Sequence, residues 1–184
     1  MRTIPLPFET VALTGFNRKI ILTYQDLISW AGGGSPVTSG TGQSIIPGNN
    51  TLGSTTNKMK ANTLFDGAFL ACLVTAFTSS GGAITSLYLQ VGDGTTAYRF
   101  FGNSNGQALD LANGTVGAFV AGTAAATPYL YAAAATVLAT LTITGQTIAS
   151  LTAGVVELYY FECDLSGVLA VKQPTASPSY PTGG

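Results

Sequence analysis

The chain has no histidine, only two cysteines, and seven basic against eight acidic residues in 184 positions. Without histidine it lacks the side chain that titrates near neutrality, the usual general base of acyl transfer and the commonest ligand for zinc, haem and non-haem iron. Two cysteines without a spacing motif make no disulfide framework, and Cys72 and Cys163 each fall inside an apolar run, where an unpaired thiol packs as a small hydrophobe. Charged residues are 8% of the chain, against about 25% in an average globular protein. A dispersed monomer depends on surface charge, so this scarcity points to a subunit that hides much of its surface in an assembly.

What charge exists is unevenly placed. Up to Lys60 the cations Arg2, Arg18, Lys19, Lys58 and Lys60 outnumber Glu9 and Asp26; beyond it, Arg99 and Lys172 face six acids. A basic front on an acidic body either contacts an acidic neighbour, a second copy included, or is a chance excess of a few charges, and both readings stay open. The net charge of -1 leaves no electrostatic footprint for nucleic acid. Pro5, Pro7 and Glu9 interrupt the apolar core that a secretion signal needs, so the chain is expected to mature in a reducing cytoplasm. From Leu111 to Val156 there is no charge at all. Pro128 and many Thr and Gly residues break that span, and Thr140 to Thr144 alternates with period two, which suits a half-buried strand and not a membrane helix.

Residues 1–18 read as an extended N-terminal arm, 19–171 as one β-sandwich domain and 172–184 as a Pro-rich tail that cannot pair in a sheet. Arg18 to Trp30 starts as a strand and continues as a short helix from Thr23, with Thr23 and Asp26 placed to cap it and Leu27 and Trp30 on one face. Gly32 to Thr56 is loop-like. Leu64 to Phe77 suits a buried strand after an Asp66-Gly67 turn. Thr85 to Val91 alternates, Leu87, Leu89 and Val91 inward, and ends at a Gly92-Asp93-Gly94 turn leading into an expected strand over Ala97 to Phe101. Ala135 to Thr144 and Val155 to Leu165 read as the last long strands, separated by Gly145-Gln146 and Ala153-Gly154 turns. Short strands, Gly-rich turns and almost no helical periodicity give an all-β, jelly-roll-like sandwich.

Catalytic patterns fail on inspection. Gly102-Asn103-Ser104-Asn105-Gly106 matches a nucleophile elbow but has no histidine base, so a Gly/Asn turn is the better reading. Glu162 and Asp164 share a strand face roughly 7 Å apart, yet only Tyr160 nearby resembles a sugar subsite. An edge facing solvent or a partner explains the two acids as well. A calcium site built from Asp93, Asp110 or Asp164 stays open as a reading but lacks the ligand spacing of a calcium loop, and no phosphate or dinucleotide motif is present. The chain is expected to need no cofactor and to be no enzyme.

The strings ILTYQDL (21–27), LFDGAF (64–69), ITSLYLQVGDG (84–94) and LTITGQTIASLTAGVVELYYFECDL (141–165) resemble tailed-phage structural proteins, in particular the small cement or decoration proteins of the head. The resemblance spans residues 18–165. It implies a virion protein on the capsid surface, made in the host bacterial cytoplasm, that binds the major capsid protein and itself, as a homotrimer, and clamps neighbouring capsomers. Residues 2–18 and 172–182 would be straps anchored by Phe8, Phe16 and Tyr180, with Arg2, Arg18, Lys19, Lys58 and Lys60 as further assembly contacts. Two other readings remain: another virion part, such as a jelly-roll shell subunit, head fibre or tail component, and a carbohydrate-binding sandwich stacking sugars on Trp30, Tyr88 and Tyr98.

Overall fold

The computed structural model describes residues 2–5, 15–30, 43–44, 61–65, 69–93, 95–102, 109–122, 128–135 and 137–166. Its elements are β1 (Arg2–Pro5), β2 (Arg18–Thr23), α1 (Tyr24–Trp30), β3 (Gln43–Ser44), β4 (Thr63–Phe65), β5 (Leu70–Ser79), β6 (Ser86–Asp93), β7 (Phe119–Ala121), β8 (Tyr129–Tyr131), β9 (Val137–Thr144), a 3-10 turn at Ile148–Ser150, β10 (Leu151–Tyr160) and β11 (Glu162–Asp164). All pairings are antiparallel, in the orders β1-β2-β10-β5-β7, β3-β9-β6 and β11-β4-β8.

Alternation decides which faces meet. Leu87, Leu89 and Val91 of β6 and Val137, Ala139, Leu141 and Ile143 of β9 are buried, and so are Ile20 and Leu22 of β2 and Val156 and Leu158 of β10. These side chains belong to one contiguous core, so the five-stranded and three-stranded sheets form an all-β sandwich. The short helix closes one end of it: Thr23 N–H bonds Asp26 Oδ2 (2.8 Å), Asp26 N–H reaches back to Thr23 Oγ1 (3.4 Å), and Leu27 drops into the core. This is the reciprocal cap expected from the Thr23/Asp26 spacing.

One corner turns between sheets. β5 and β10 pair in the large sheet, while β4 and β11, beside them in the chain, pair in another. Asn17 holds the bend. Its side-chain Nδ2 donates to Glu162 O (2.7 Å), its Oδ1 accepts from Glu162 N (2.9 Å), and its own N–H donates to Tyr160 O (3.1 Å). An amide side chain thus continues backbone pairing past the end of β2. Inside the corner, Tyr160 stacks on Phe69 (centroids 4.7 Å), Phe69 on Phe100 (5.3 Å), and Phe65 meets Tyr131 edge-on (6.1 Å).

Several local expectations change. Ala97 to Phe101 is no strand but a run of turns and bends with one bridge, Val91 to Phe101. The cause is Asp93, whose Oδ1 takes the N–H groups of Thr95 (2.9 Å) and Thr96 (2.8 Å) and curls the segment. Ala153-Gly154 is no turn either; it lies within β10, where the register to β5 shifts and Gly154 has φ +138°. Val155 to Leu165 divides at Phe161, and Leu64 to Phe77 divides into β4 and β5, because both cross the corner. Gln43–Ser44, in the stretch read as loop, pairs with β9. Of the N-terminal arm read over residues 1–18, Arg2–Pro5 lies along β2 as an edge strand and Arg18 already belongs to β2.

Candidate functional site

The outer face of the five-stranded sheet is built from two aligned rows. Ile4, Lys19, Tyr159, Leu70 and Ala121 stand opposite one another, and next to them Ile21, Glu157, Cys72 and Phe119. Its polar groups satisfy each other. Lys19 Nζ donates to Glu157 Oε1 (3.0 Å) and lies 5.7 Å from the Tyr159 ring centre, and the Tyr159 hydroxyl donates to Glu157 Oε2. Burial and the adjoining Glu157 carboxylate raise the Tyr159 hydroxyl well above its ordinary pKa. The same two causes, in the same order, push the Cys72 thiol up, so it remains protonated and inert. Both Cys72 and Cys163 are free thiols, Cys72 buried and Cys163 half-buried.

At the β5–β7 side of this face the character changes. Phe119 is 59% exposed, Val116 53% and Val74 43%. They sit together because Phe119 pairs with Cys72, Val74 lies two residues further along β5, and Gly117 N–H bonds Leu73 O (2.8 Å), tying the Val116 turn to the same strand. Of the large apolar side chains exposed among the described residues, only Leu130 lies elsewhere, on β8. Clustering of this kind, not exposure of a single residue, marks a contact surface.

A second candidate is an open depression of about 520 Å³ beside β8, lined by Asp93, Tyr129, Leu130, Tyr131 and the alanines 132–135. Its chemistry is already engaged. Asp93 Oδ2 accepts from Arg99 Nε (2.6 Å) and the Tyr131 hydroxyl (2.7 Å), and the Arg99 guanidinium covers the Tyr129 ring at 4.1 Å. Burial pushes the Asp93 carboxyl up, but hydrogen bonds from Tyr131, Thr96, Arg99 and Thr95 outweigh it and hold the pKa below the ordinary carboxylate range. Burial and the Asp93 contact drive the Tyr131 hydroxyl far upward, so it acts as a fixed donor. This cluster pins a turn.

The anticipated contact residues are dispersed. Arg18 Nε pairs with Glu162 Oε1 (2.7 Å), and Lys19 with Glu157, so both cations are engaged within the chain. Phe16 is half-buried, and Arg2 belongs to β1. Phe8, Lys58, Lys60 and Tyr180 lie outside the described residues. Glu162 and Asp164 stand two residues apart on β11 with separate partners: Glu162 bonds Arg18, and Asp164 Oδ1 accepts Ser166 N–H (2.9 Å). Asp110 takes the N–H groups of Leu87 (3.1 Å) and Ala112 (2.9 Å), and no metal-holding group of three His, Cys, Asp or Glu occurs among the described residues. Tyr88 stands on β6 and Tyr98 in the turn beyond Asp93, both half-buried, while the Trp30 side chain lies outside the description. No described helix is long and apolar enough to cross a membrane.

The Val74, Val116 and Phe119 cluster was not anticipated. Its one sequence signal is that Val116 and Phe119 lie in a charge-free, Gly-punctuated stretch where no burial period demands them. No protein-family model matches the chain, and no curated protein or solved structure matches it.

Proposed function

We propose that this chain is a structural virion subunit that binds the outer surface of a tailed-phage head and braces neighbouring copies of the major capsid protein, within a jelly-roll-like version of the sandwich. The observation that carries the reading is the division of its surface. Arg18, Lys19 and Arg99 are engaged inside the chain, in the Arg18–Glu162, Lys19–Glu157 and Arg99–Asp93 pairs, while Val74, Val116 and Phe119, three of the four large apolar side chains exposed among the described residues, gather at one sheet edge. A surface of that kind is suited to burial against protein, since it brings no unpaired charge into the contact. Many modest contacts on one particle then add through effective concentration.

The test is to mix the purified chain with emptied, expanded heads that lack it and count bound copies. Saturation at a number commensurate with the shell lattice supports the reading; heads that sediment bare overturn it. Expression alone separates the nearest competitor, because a shell-forming subunit closes into particles and a brace yields small soluble oligomers.

A further inference from the structure

We infer that the β7 edge is a contact between two copies of this chain, in which β7 pairs antiparallel with its counterpart across a twofold axis at Val120 and joins two five-stranded sheets into one. The inference rests on the assembly-subunit reading and names the neighbour at that edge.

The two edges of the large sheet are built differently. β1 carries Arg2 and ends in Pro5, a charged residue and one without an N–H, the usual means of discouraging strand addition. The β7 edge, Phe119-Val120-Ala121, has neither, and Phe119 and Ala121 are exposed. Gly122 N–H bonds Phe69 O (2.9 Å). By antiparallel alternation the N–H and C=O of Ala121 and Phe119 then point away from β5, toward the side on which no described strand pairs. Val120, between them, packs against the core.

The same geometry selects a second copy as occupant. A twofold contact brings every residue near the axis against its own duplicate, so any charge there meets a like charge. Residues 111–156, which include the whole edge, carry none. With the axis at Val120, Phe119 of one copy faces Ala121 of the other, a large side chain against a small one, and the two such pairs exchange four backbone hydrogen bonds. The homotrimer implied by the family resemblance would need a different, head-to-tail surface; this edge supplies a twofold one.

Sedimentation of the full chain over a concentration series tests this. The wild type is expected to dimerise, and Phe119→Glu to raise the dimer dissociation constant at least tenfold with an unchanged melting profile. The double variant Phe119→Glu/Ala121→Lys sets opposite charges facing each other across the axis and is expected to restore the dimer, which a merely misfolded variant cannot do. A wild type that remains monomeric at high micromolar concentration, or a dimer indifferent to Phe119→Glu, overturns the inference. Head binding is scored separately: a monomeric variant that still decorates heads keeps the proposed function, and a dimer that binds none removes that function while leaving the edge contact.

Discussion

Among the described residues, Tyr160 is the one whose buried side-chain polar atom has no partner. Its ring is packed between Phe65 and Phe69, the residue is 1% exposed, and its hydroxyl makes no hydrogen bond. Burial, with Glu162 adding to it, drives the hydroxyl pKa far above its usual range, so the group is neutral at any working pH. Tyr160→Phe keeps the ring and removes the stranded dipole, and is expected to raise stability by about 1 kcal/mol in urea unfolding; a loss of that size would mean the hydroxyl is bonded in solution. Asp93 is the opposite case, satisfied at both oxygens. Its native pKa lies below the ordinary 3.8, so its contribution is complete above that value and disappears as the pH falls through the lower native one. Asp93→Asn is expected to lower stability at neutral pH and to flatten the acid limb of a stability-versus-pH curve.

Elements were legible in the sequence wherever one face is dry. β9 alternates over its eight residues and β6 over its first six, because Leu87 and Leu141 face a core while Tyr88 and Thr142 do not. The Thr23/Asp26 cap is equally local. β7 and β8 have three residues apiece among Gly, Ala and Thr, too few to show a period, and the exposure of Phe119 follows from pairing with β5, which no local pattern states. That is why the surface carrying the proposed function stayed hidden while the fold class did not. Gly154 misleads for a related reason, since glycine marks both turns and strand irregularities. Here its missing Cβ makes room for the Phe77 ring, and its φ of +138° is one that other residues rarely adopt. Gly154→Ala is therefore expected to cost about 2–4 kcal/mol through overlap and backbone strain together. A melting temperature unchanged by this substitution would show that β10 has no such irregularity.

At the scale of the molecule, the order β1-β2-β10-β5-β7 places a late strand at the centre of the large sheet. β10 pairs with β2 on one side and β5 on the other, so Leu158 lies opposite Ile20 and Ala71, residues far apart in the chain. Neither neighbour can bury its inner face until β10 arrives, and loop closure over such separations is entropically costly before any contact offsets it. Folding is thus expected to take milliseconds to seconds and to wait for the final third of the chain. Two truncations check the argument. A chain ending at Ser166 keeps all the buried residues from Ile20 to Tyr160 and should still unfold cooperatively in a calorimeter. One ending at Ser150 loses β10, leaves β2 paired only with β1 and β5 only with β7, and should show neither a cooperative transition nor protease resistance. If the shorter chain melted cooperatively, the sandwich would not depend on its central strand, and the strand order drawn above would be wrong.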